Sequence, residues 1–405
     1  MSDLYVSSGF DQASLPPFGP IGIIAHTANK EFVKSVSDVI FNKRSARIEK
    51  KSNPYVNSPG YCRSDYIIDS VFNRYDNGEG TFSLLESVRG HDMYIITDVL
   101  AHSYSYELVE GEHVISPDDH YRDLLRIITV LKGKAKRINV IMPFVYEGRR
   151  EKLDSHRESW DCAEMLKKLY ELGIANLIVF DPHDGRIENA VPLMSIEYPR
   201  CQFKLTSSLL NRFSSIKLDK DHTIVVCPDE TGVSRAIFYS SHLNLPLGIF
   251  YRDRDYTQKI NGEHPIKNFM FLGDDVKGKD ILLIDDMINS GNTMLRTAEK
   301  LKSYGAEHIY CLAPYGLFTN GLEVFDEAYE KGLITAVCCT NLIFRAPELL
   351  DREWYVDANM IPYVARIIEA LNLDESIYDL INSTSRLTDL ASQIRIGELF
   401  EQKDE

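Results

Sequence analysis

Short, nearly continuous apolar runs punctuate the chain at 22–25, 92–97, 138–142, 176–180, 223–227, 247–251, 280–284 and 308–313. Each is too brief for a buried helix and lacks the strict alternation of a half-exposed strand. Such runs predict strands covered on both faces. Between them lie segments with helical periodicity, at about 30–41, 119–131, 161–172, 232–242 and 292–304. Gly173 and Gly305 follow two of these segments, where a left-handed residue would close a helix at little steric cost. Alternation near 66–71 and 81–85 predicts two more strands.

Strands alternating with helices predict an α/β fold in which mainly parallel sheets are flanked by helices. The pattern falls into two halves, 21–215 and 216–382. An irregular lead-in, 1–20, contains Gly9, Pro16, Pro17, Gly19 and Pro20, and a polar tail at 383–405 reads as a helical appendage or a loose segment. Residues 42–65 are charged and carry Pro54, Pro59 and Gly60, which predicts a surface excursion.

Composition narrows the function. A chain of 405 residues that is 44% hydrophobic has room for two or three domains. A net charge of -15 argues against a general nucleic-acid-binding face. The seven cysteines include no CxxC pair, so thiols in a reducing cytosol are expected rather than a zinc site. No signal-peptide pattern and no apolar run of membrane-spanning length is present, so the expected location is cytoplasmic, without a membrane partner.

Three of the apolar runs end in aspartate: Asp181, Asp229, and the adjacent pair Asp285 and Asp286. In open α/β sheets ligands bind outside the carboxyl ends of the strands. Carboxylates there suit Mg²⁺ or the cis-diol of a ribose. His183 lies two residues beyond Asp181. After Asp286 the segment Asn289, Ser290, Gly291, Asn292, Thr293 is small and polar and opens a helix-like segment. Backbone amides and a helix N-terminus are natural partners for a phosphate. The plainer alternative, an aspartate capping a helix beside a solvated turn, is equally common for a single such junction. The chain contains no GxxxxGK[ST] loop, no GxGxxG fingerprint, no HExxH and no GxSxG.

Five segments occur in the order found in ribose-phosphate pyrophosphokinases: VRGHDMYII (88–96), PFVYEGRRE (143–151), FDPHDGRIENAVP (180–192), CPDETGVSRA (227–236) and LLIDDMINSGNTM (282–294). The chain resembles that family, as a long variant, from about Gly22 to Ile381. The resemblance implies two phosphoribosyltransferase-like domains, the first on the ATP side and the second on the ribose 5-phosphate side. It implies transfer of the β,γ-diphosphate of ATP to the C1 hydroxyl of ribose 5-phosphate, with Mg²⁺ as cofactor and a homo-oligomer, a dimer or hexamer, as the assembly. Carried over by position, Arg149 and Arg150 with Tyr75, Asn77 and Glu79 bind ATP, the last three as an adenine loop reaching a neighbouring subunit. His183 and Asp229 match metal-linked positions, with Asp181 beside them. Asp285, Asp286 and Asn289, Ser290, Gly291, Asn292 and Thr293 hold ribose 5-phosphate. Arg252 and Arg254 are the catalytic cations. Arg252 stands where the family carries a lysine, Asp253 replaces an arginine, and Thr231 replaces a glycine. The Arg252 and Asp253 substitutions leave open a paralogue that binds nucleotide or sugar phosphate and regulates a partner. Residues 42–65 and the tail, which could reshape the pocket, leave open a diphosphotransferase acting on another ribosyl phosphate.

Overall fold

The structure is a computed structural model; it describes residues 16–26, 30–50, 55–109, 111–150, 157–254, 266–382 and 384–396. The chain divides into two compact units. One holds residues up to Val179 together with Asp184–Tyr198 and Ile361–Ile381. The other holds Phe180–His183, Pro199–Met360 and the residues from Asn382 onward. This division departs from the expected boundary between 215 and 216. Residues 199–215 group with the second unit, and the chain returns to the first unit at Ile361.

The first unit begins with β1 (Ile21–Ala25) and α1 (Lys30–Glu49), followed by a hairpin of β2 (Ser70–Arg74) and β3 (Gly80–Leu84). After β4 (Asp92–Ile96) comes a second hairpin, β5 (Ser105–Leu108) and β6 (Gly111–Val114). Then follow α2 (Pro117–Leu131), β7 (Arg137–Ile141), α3 (Asp161–Glu171), β8 (Asn176–Ile178) and β9 (Ser195–Glu197). Strands β1, β4, β7, β8 and β9 form one sheet in that order, parallel throughout. The helix α2 starts at a capping box: Asp119 N–H donates to Ser116 Oγ, and Ser116 N–H donates to Asp119 Oδ2, each at 3.1 Å. Its buried Leu124, Ile127, Ile128 and Leu131 share one face, which packs into the core that also takes Met93 and Val140 of the sheet.

The second unit contains α4 (Gln202–Arg212), β10 (Thr223–Cys227), α5 (Val233–Leu243), β11 (Leu247–Arg254), β12 (Ile266–Leu272), β13 (Asp280–Ile284) and β14 (Met287–Ile288). It continues through α6 (Asn292–Ser303), β15 (Ile309–Ala313), β16 (Tyr315–Gly316), α7 (Glu323–Glu330), β17 (Ala336–Thr340), α8 (Pro347–Leu350) and β18 (Tyr355–Ala358). Its sheet runs β12-β11-β10-β13-β15-β17-β18 and is parallel except for the β11–β12 ribbon. As the apolar runs predict, β10, β13, β15 and β17 are buried almost end to end.

Three helices follow β18: α9 (Ile361–Asn372) and α10 (Tyr378–Ile381) in the first unit, and α11 (Thr384–Ile396) in the second. One expectation changes here. Residues 42–49 belong to α1 rather than to a surface excursion. Arg44 is fully buried, donating to Glu369 Oε1 at 3.3 Å, to Asn372 Oδ1 at 2.9 Å and to the Tyr61 carbonyl at 2.6 Å. The expected polar tail includes α11, whose Leu387, Leu390 and Ala391 are buried. Within the lead-in, Phe18 N–H donates to the Asn372 carbonyl at 2.7 Å. None of the seven cysteines forms a disulfide. No helix among the described residues is long and apolar enough to cross a membrane.

Candidate functional site

The sheet of the second unit has a topological switch. From β10 the chain crosses through α5 to β11 on one side. From β13 it crosses through α6 to β15 on the other. β10 and β13 are themselves neighbours, in register from Thr223 opposite Asp280 to Val226 opposite Leu283. Connections that part company at the carboxyl ends of adjacent strands leave a crevice, which is where open α/β sheets bind ligands. Asp229 follows β10 into it, and Asp285 and Asp286 follow β13.

Asp229 is oriented locally. Its Oδ1 accepts from Thr231 N–H at 2.9 Å and from the Thr231 hydroxyl at 2.6 Å, capping the short turn Glu230–Gly232 that leads into α5. Asp285 and Asp286 are buried, and Asp286 N–H donates to Asp285 Oδ1 at 2.8 Å. Burial, then the neighbouring Asp286 and Asp229 carboxylates, push the Asp285 carboxyl well above its usual range. Like charges gathered in this way are relieved by a cation or by hydroxyl donors.

The loop beyond them is pinned on both sides. Met287 and Ile288 pair with Tyr315 and Gly316, and Thr319 N–H donates to the Asn289 carbonyl at 2.9 Å. The Thr319 hydroxyl reaches Asn289 Oδ1 at 3.2 Å. Gly291 is the N-cap of α6 with φ 84 and supplies no side-chain cap. A Cβ there would stand 2.4 Å from the Phe325 ring, so both conformation and space demand glycine. The amides at the start of α6 thus meet no capping side chain, and the helix dipole adds to their attraction for an anion. Ser290, Asn292 and Thr293 surround this start, with Asn292 exposed and Ser290 and Thr293 half-buried.

The segment Phe180–His183 belongs to the second unit. Asp181 is buried with φ 41, and both of its carboxylate oxygens are engaged by the chain. Oδ2 accepts from Cys201 N–H at 2.7 Å and Oδ1 from Gln202 Nε2 at 2.6 Å, at the start of α4. Arg235 donates to the Asp181 carbonyl at 3.2 Å, and the Tyr315 hydroxyl donates to the Phe180 carbonyl. Asp181 thereby fastens the loop that carries the half-buried His183 to the start of α4. Among the described residues no group of three or more His, Cys, Asp or Glu side chains is arranged to hold a metal ion.

Arg252 and Arg254 lie on β11, with Arg252 opposite Phe269 and Arg254 opposite Ile266 of β12. β11 is in register with β10 only as far as Ile249 opposite Cys227. The ribbon carrying the two arginines continues roughly 16 Å past that point, to Arg254, at the usual strand rise. Their side chains lie outside the described part of the structure.

In the first unit Tyr75, Asn77 and Glu79 form the tip of the β2–β3 hairpin. Tyr75 N–H donates to the Glu79 carbonyl at 2.9 Å, and Asn77 Nδ2 donates to Glu79 Oε2 at 3.0 Å. Tyr75 is 53% exposed, which leaves its ring open to stacking on a planar partner. Arg149 and Arg150 are exposed in the turn beyond β7, where Arg150 N–H donates to the Glu147 carbonyl at 2.8 Å. The supporting residues Gln202 and Thr319 carry no sequence signal, and Thr231 and Arg235 lie in the CPDETGVSRA segment without a pattern that gives their partners. Their partners are fixed by turn geometry or by distant parts of the chain.

Two family models match in order along the chain. The N-terminal domain of ribose phosphate pyrophosphokinase matches residues 21–173, and the phosphoribosyl transferase domain matches residues 204–348. A ribose-phosphate pyrophosphokinase of Wolinella succinogenes is 27% identical over 317 residues, 78% of this chain and 91% of that protein. Ribose-phosphate pyrophosphokinase 2 of Saccharomyces cerevisiae is 25% identical over 305 residues, 75% of this chain and 86% of that protein. The crystal structure of phosphoribosylpyrophosphate synthetase from Mycobacterium smegmatis superposes with a TM-score of 0.66 at 21% identity. It covers 87% of this chain and 98% of that one, and so shares the fold. With both domain models in sequence and curated relatives aligned over most of their length, the chain belongs to the ribose-phosphate pyrophosphokinase family.

Proposed function

We propose that the chain transfers the β,γ-diphosphate of ATP to the C1 hydroxyl of ribose 5-phosphate, giving phosphoribosyl diphosphate and AMP. The observation that carries this reading is the pairing of buried Asp285 and Asp286 with the open start of α6 across one loop at the sheet's switch point. A diol-binding acid pair and an anion-binding helix start, a few residues apart, suit a ribose bearing a 5-phosphate.

Asp285 and Asp286 would accept from the ribose 2- and 3-hydroxyls. The amides around Asn289, Ser290, Gly291, Asn292 and Thr293 would hold the 5-phosphate and fix the C1 hydroxyl for attack. Its oxygen bonds to the β-phosphorus as the bond from that phosphorus to the α,β-bridging oxygen breaks. The electron pair departs on AMP, and the hydroxyl proton is released. Tyr75, Asn77, Glu79, Arg149 and Arg150 would hold the adenine nucleotide. Arg252 and Arg254, on the overhanging ribbon, would stabilise charge on the migrating diphosphate. Mg²⁺, held by Asp229 and His183 with ATP, would neutralise phosphate charge; Asp181 would act on it only through the position of His183.

Calorimetric titration of ribose 5-phosphate tests the sugar site. Asp285→Asn with Asp286→Asn should weaken binding at least tenfold, while ATP binding stays close to that of the parent. Equal affinity in parent and variant would remove the sugar-phosphate reading. Arg252 and Asp253 in place of the family's lysine and arginine favour a second reading, a paralogue that binds these ligands and regulates a partner. Binding of both ligands without any AMP would establish that reading instead.

A further inference from the structure

In the first unit several elements converge on one buried carboxylate, that of Asp123 on α2. Its Oδ2 accepts from Arg74 Nη2 and its Oδ1 from Arg126 Nη1. His26, just beyond β1, is buried with Nε2 3.8 Å from Asp123 Oδ2. Its Nδ1 lies 2.9 Å from the hydroxyl of Thr97, just beyond β4. Arg74 is the last residue of β2 and stands opposite Gly80 of β3. These two residues bracket the turn that carries Tyr75, Asn77 and Glu79.

Gly80 is part of the same arrangement. A Cβ on it would stand 2.8 Å from Arg74 Nη1 and 2.9 Å from Arg126 Nη1. Both guanidinium groups therefore lie against the bare backbone of the hairpin. The Arg74 guanidinium also lies 5.0 Å from the centre of the Tyr106 ring. A two-stranded hairpin is marginally stable by itself, so the direction of its tip is set by whatever grips its base. Here that grip is a desolvated carboxylate bridging two arginines through charge-assisted hydrogen bonds, the strong form.

We propose that Asp123 is a positioning residue for the 75–79 turn. It holds Arg74, and Arg74 with Arg126 over Gly80 holds the hairpin base, so that Tyr75, Asn77 and Glu79 are presented in one orientation to a nucleotide. Asp123 touches no substrate in this scheme. The proposal rests on reading the 75–79 turn as an adenine site, and its test separates the two.

Two variants of the full chain serve, Asp123→Asn and Gly80→Ala. The second displaces the flexible ends of the arginines without removing a buried charge, so it folds even if the first does not. Hydrogen exchange is measured at the turn amides of Tyr75 and Gly78, and KM and kcat are measured with ATP and ribose 5-phosphate. Turn amides should exchange about tenfold faster in Gly80→Ala, with β4 and α2 at parental rates. KM for ATP should rise about tenfold, with kcat and KM for ribose 5-phosphate within about twofold of the parent. Parental exchange in the turn, or faster exchange spread evenly through β4 and α2, overturns the positioning role whatever the kinetics. A parent chain that binds no ATP overturns the adenine reading and leaves the exchange comparison standing.

Discussion

Gln202 donates its side-chain amide to Asp181 Oδ1 at 2.6 Å, beside the Cys201 N–H that reaches Oδ2 at 2.7 Å. This sets Asp181 apart from Asp229, although the sequence presents both as acids ending an apolar strand. One fastens a loop to the start of a helix, and the other sits in the crevice with its orientation fixed by Thr231. The two should respond differently to substitution.

Asp181→Ala leaves a buried amide and a backbone N–H without acceptors. It should lower unfolding free energy by about 2 kcal/mol or more, read from the midpoint of chemical denaturation. Asp229→Asn keeps an acceptor for Thr231 and should leave that midpoint nearly unchanged while raising the Mg²⁺ concentration needed for nucleotide binding. Identical stability in Asp181→Ala, with only the Mg²⁺ requirement raised, would mark Asp181 as a ligand instead.

Gly291→Ala meets two obstacles, a φ of 84 and a Phe325 ring 2.4 Å from the new methyl. Strain and overpacking together should cost about 2–4 kcal/mol. Ribose 5-phosphate binding should fall much further than ATP binding. Calorimetry with each ligand, beside thermal unfolding, separates the two effects.

The buried Arg44–Glu369 pair predicts a contrast between single and double substitution. Arg44→Met leaves Glu369 with Arg47, at 3.2 Å, as its ion-pair partner among the described residues and should cost about 3–5 kcal/mol. Adding Glu369→Leu should recover much of that loss, because the remaining buried charge is then gone as well. A double variant as unstable as the sum of the single ones would show that the ion pair is not the coupled element.

His120 supplies the pH dependence. Its Nε2 lies 2.6 Å from the Ala101 carbonyl, and burial, followed by the neighbouring His26 ring, pushes its pKa down to about 4. The unfolded chain takes up this proton near 6.5, whereas the folded chain resists it until about 4. Between those values the unfolded state binds more protons, so stability should fall as pH falls through this window and level off below it. His120→Gln should flatten the slope of unfolding free energy against pH over that range; an unchanged slope would assign the loss to other groups.

Much of the second unit was legible because its strands are buried on both faces. Such strands read as unbroken apolar runs, and β10 and β13 occur where the pattern places them. The acids at their carboxyl ends are legible for the same reason, since a run's end locates the carboxyl edge of the sheet. Residues 42–49 read as a surface segment because a helix face carrying lysine and arginine looks solvated. The partner that buries Arg44 lies 325 residues away. Leu387, Leu390 and Ala391 in α11 do have helical spacing, a signal that the polar flanks of the tail obscured. The return of α9 to the first unit has no local signature at all, because it is decided by contacts such as those of Asn372 with Gly19 and Asp92.

The most direct test follows the phosphorus atoms. Purified chain with ATP, Mg²⁺ and ribose 5-phosphate is observed by ³¹P NMR, beside a sample lacking the sugar. The expected result is AMP together with a new pair of coupled diphosphate signals in equal amounts, only when ribose 5-phosphate is present. ADP and inorganic phosphate as the products, or an unchanged spectrum under conditions where both ligands bind, would contradict diphosphate transfer by this chain.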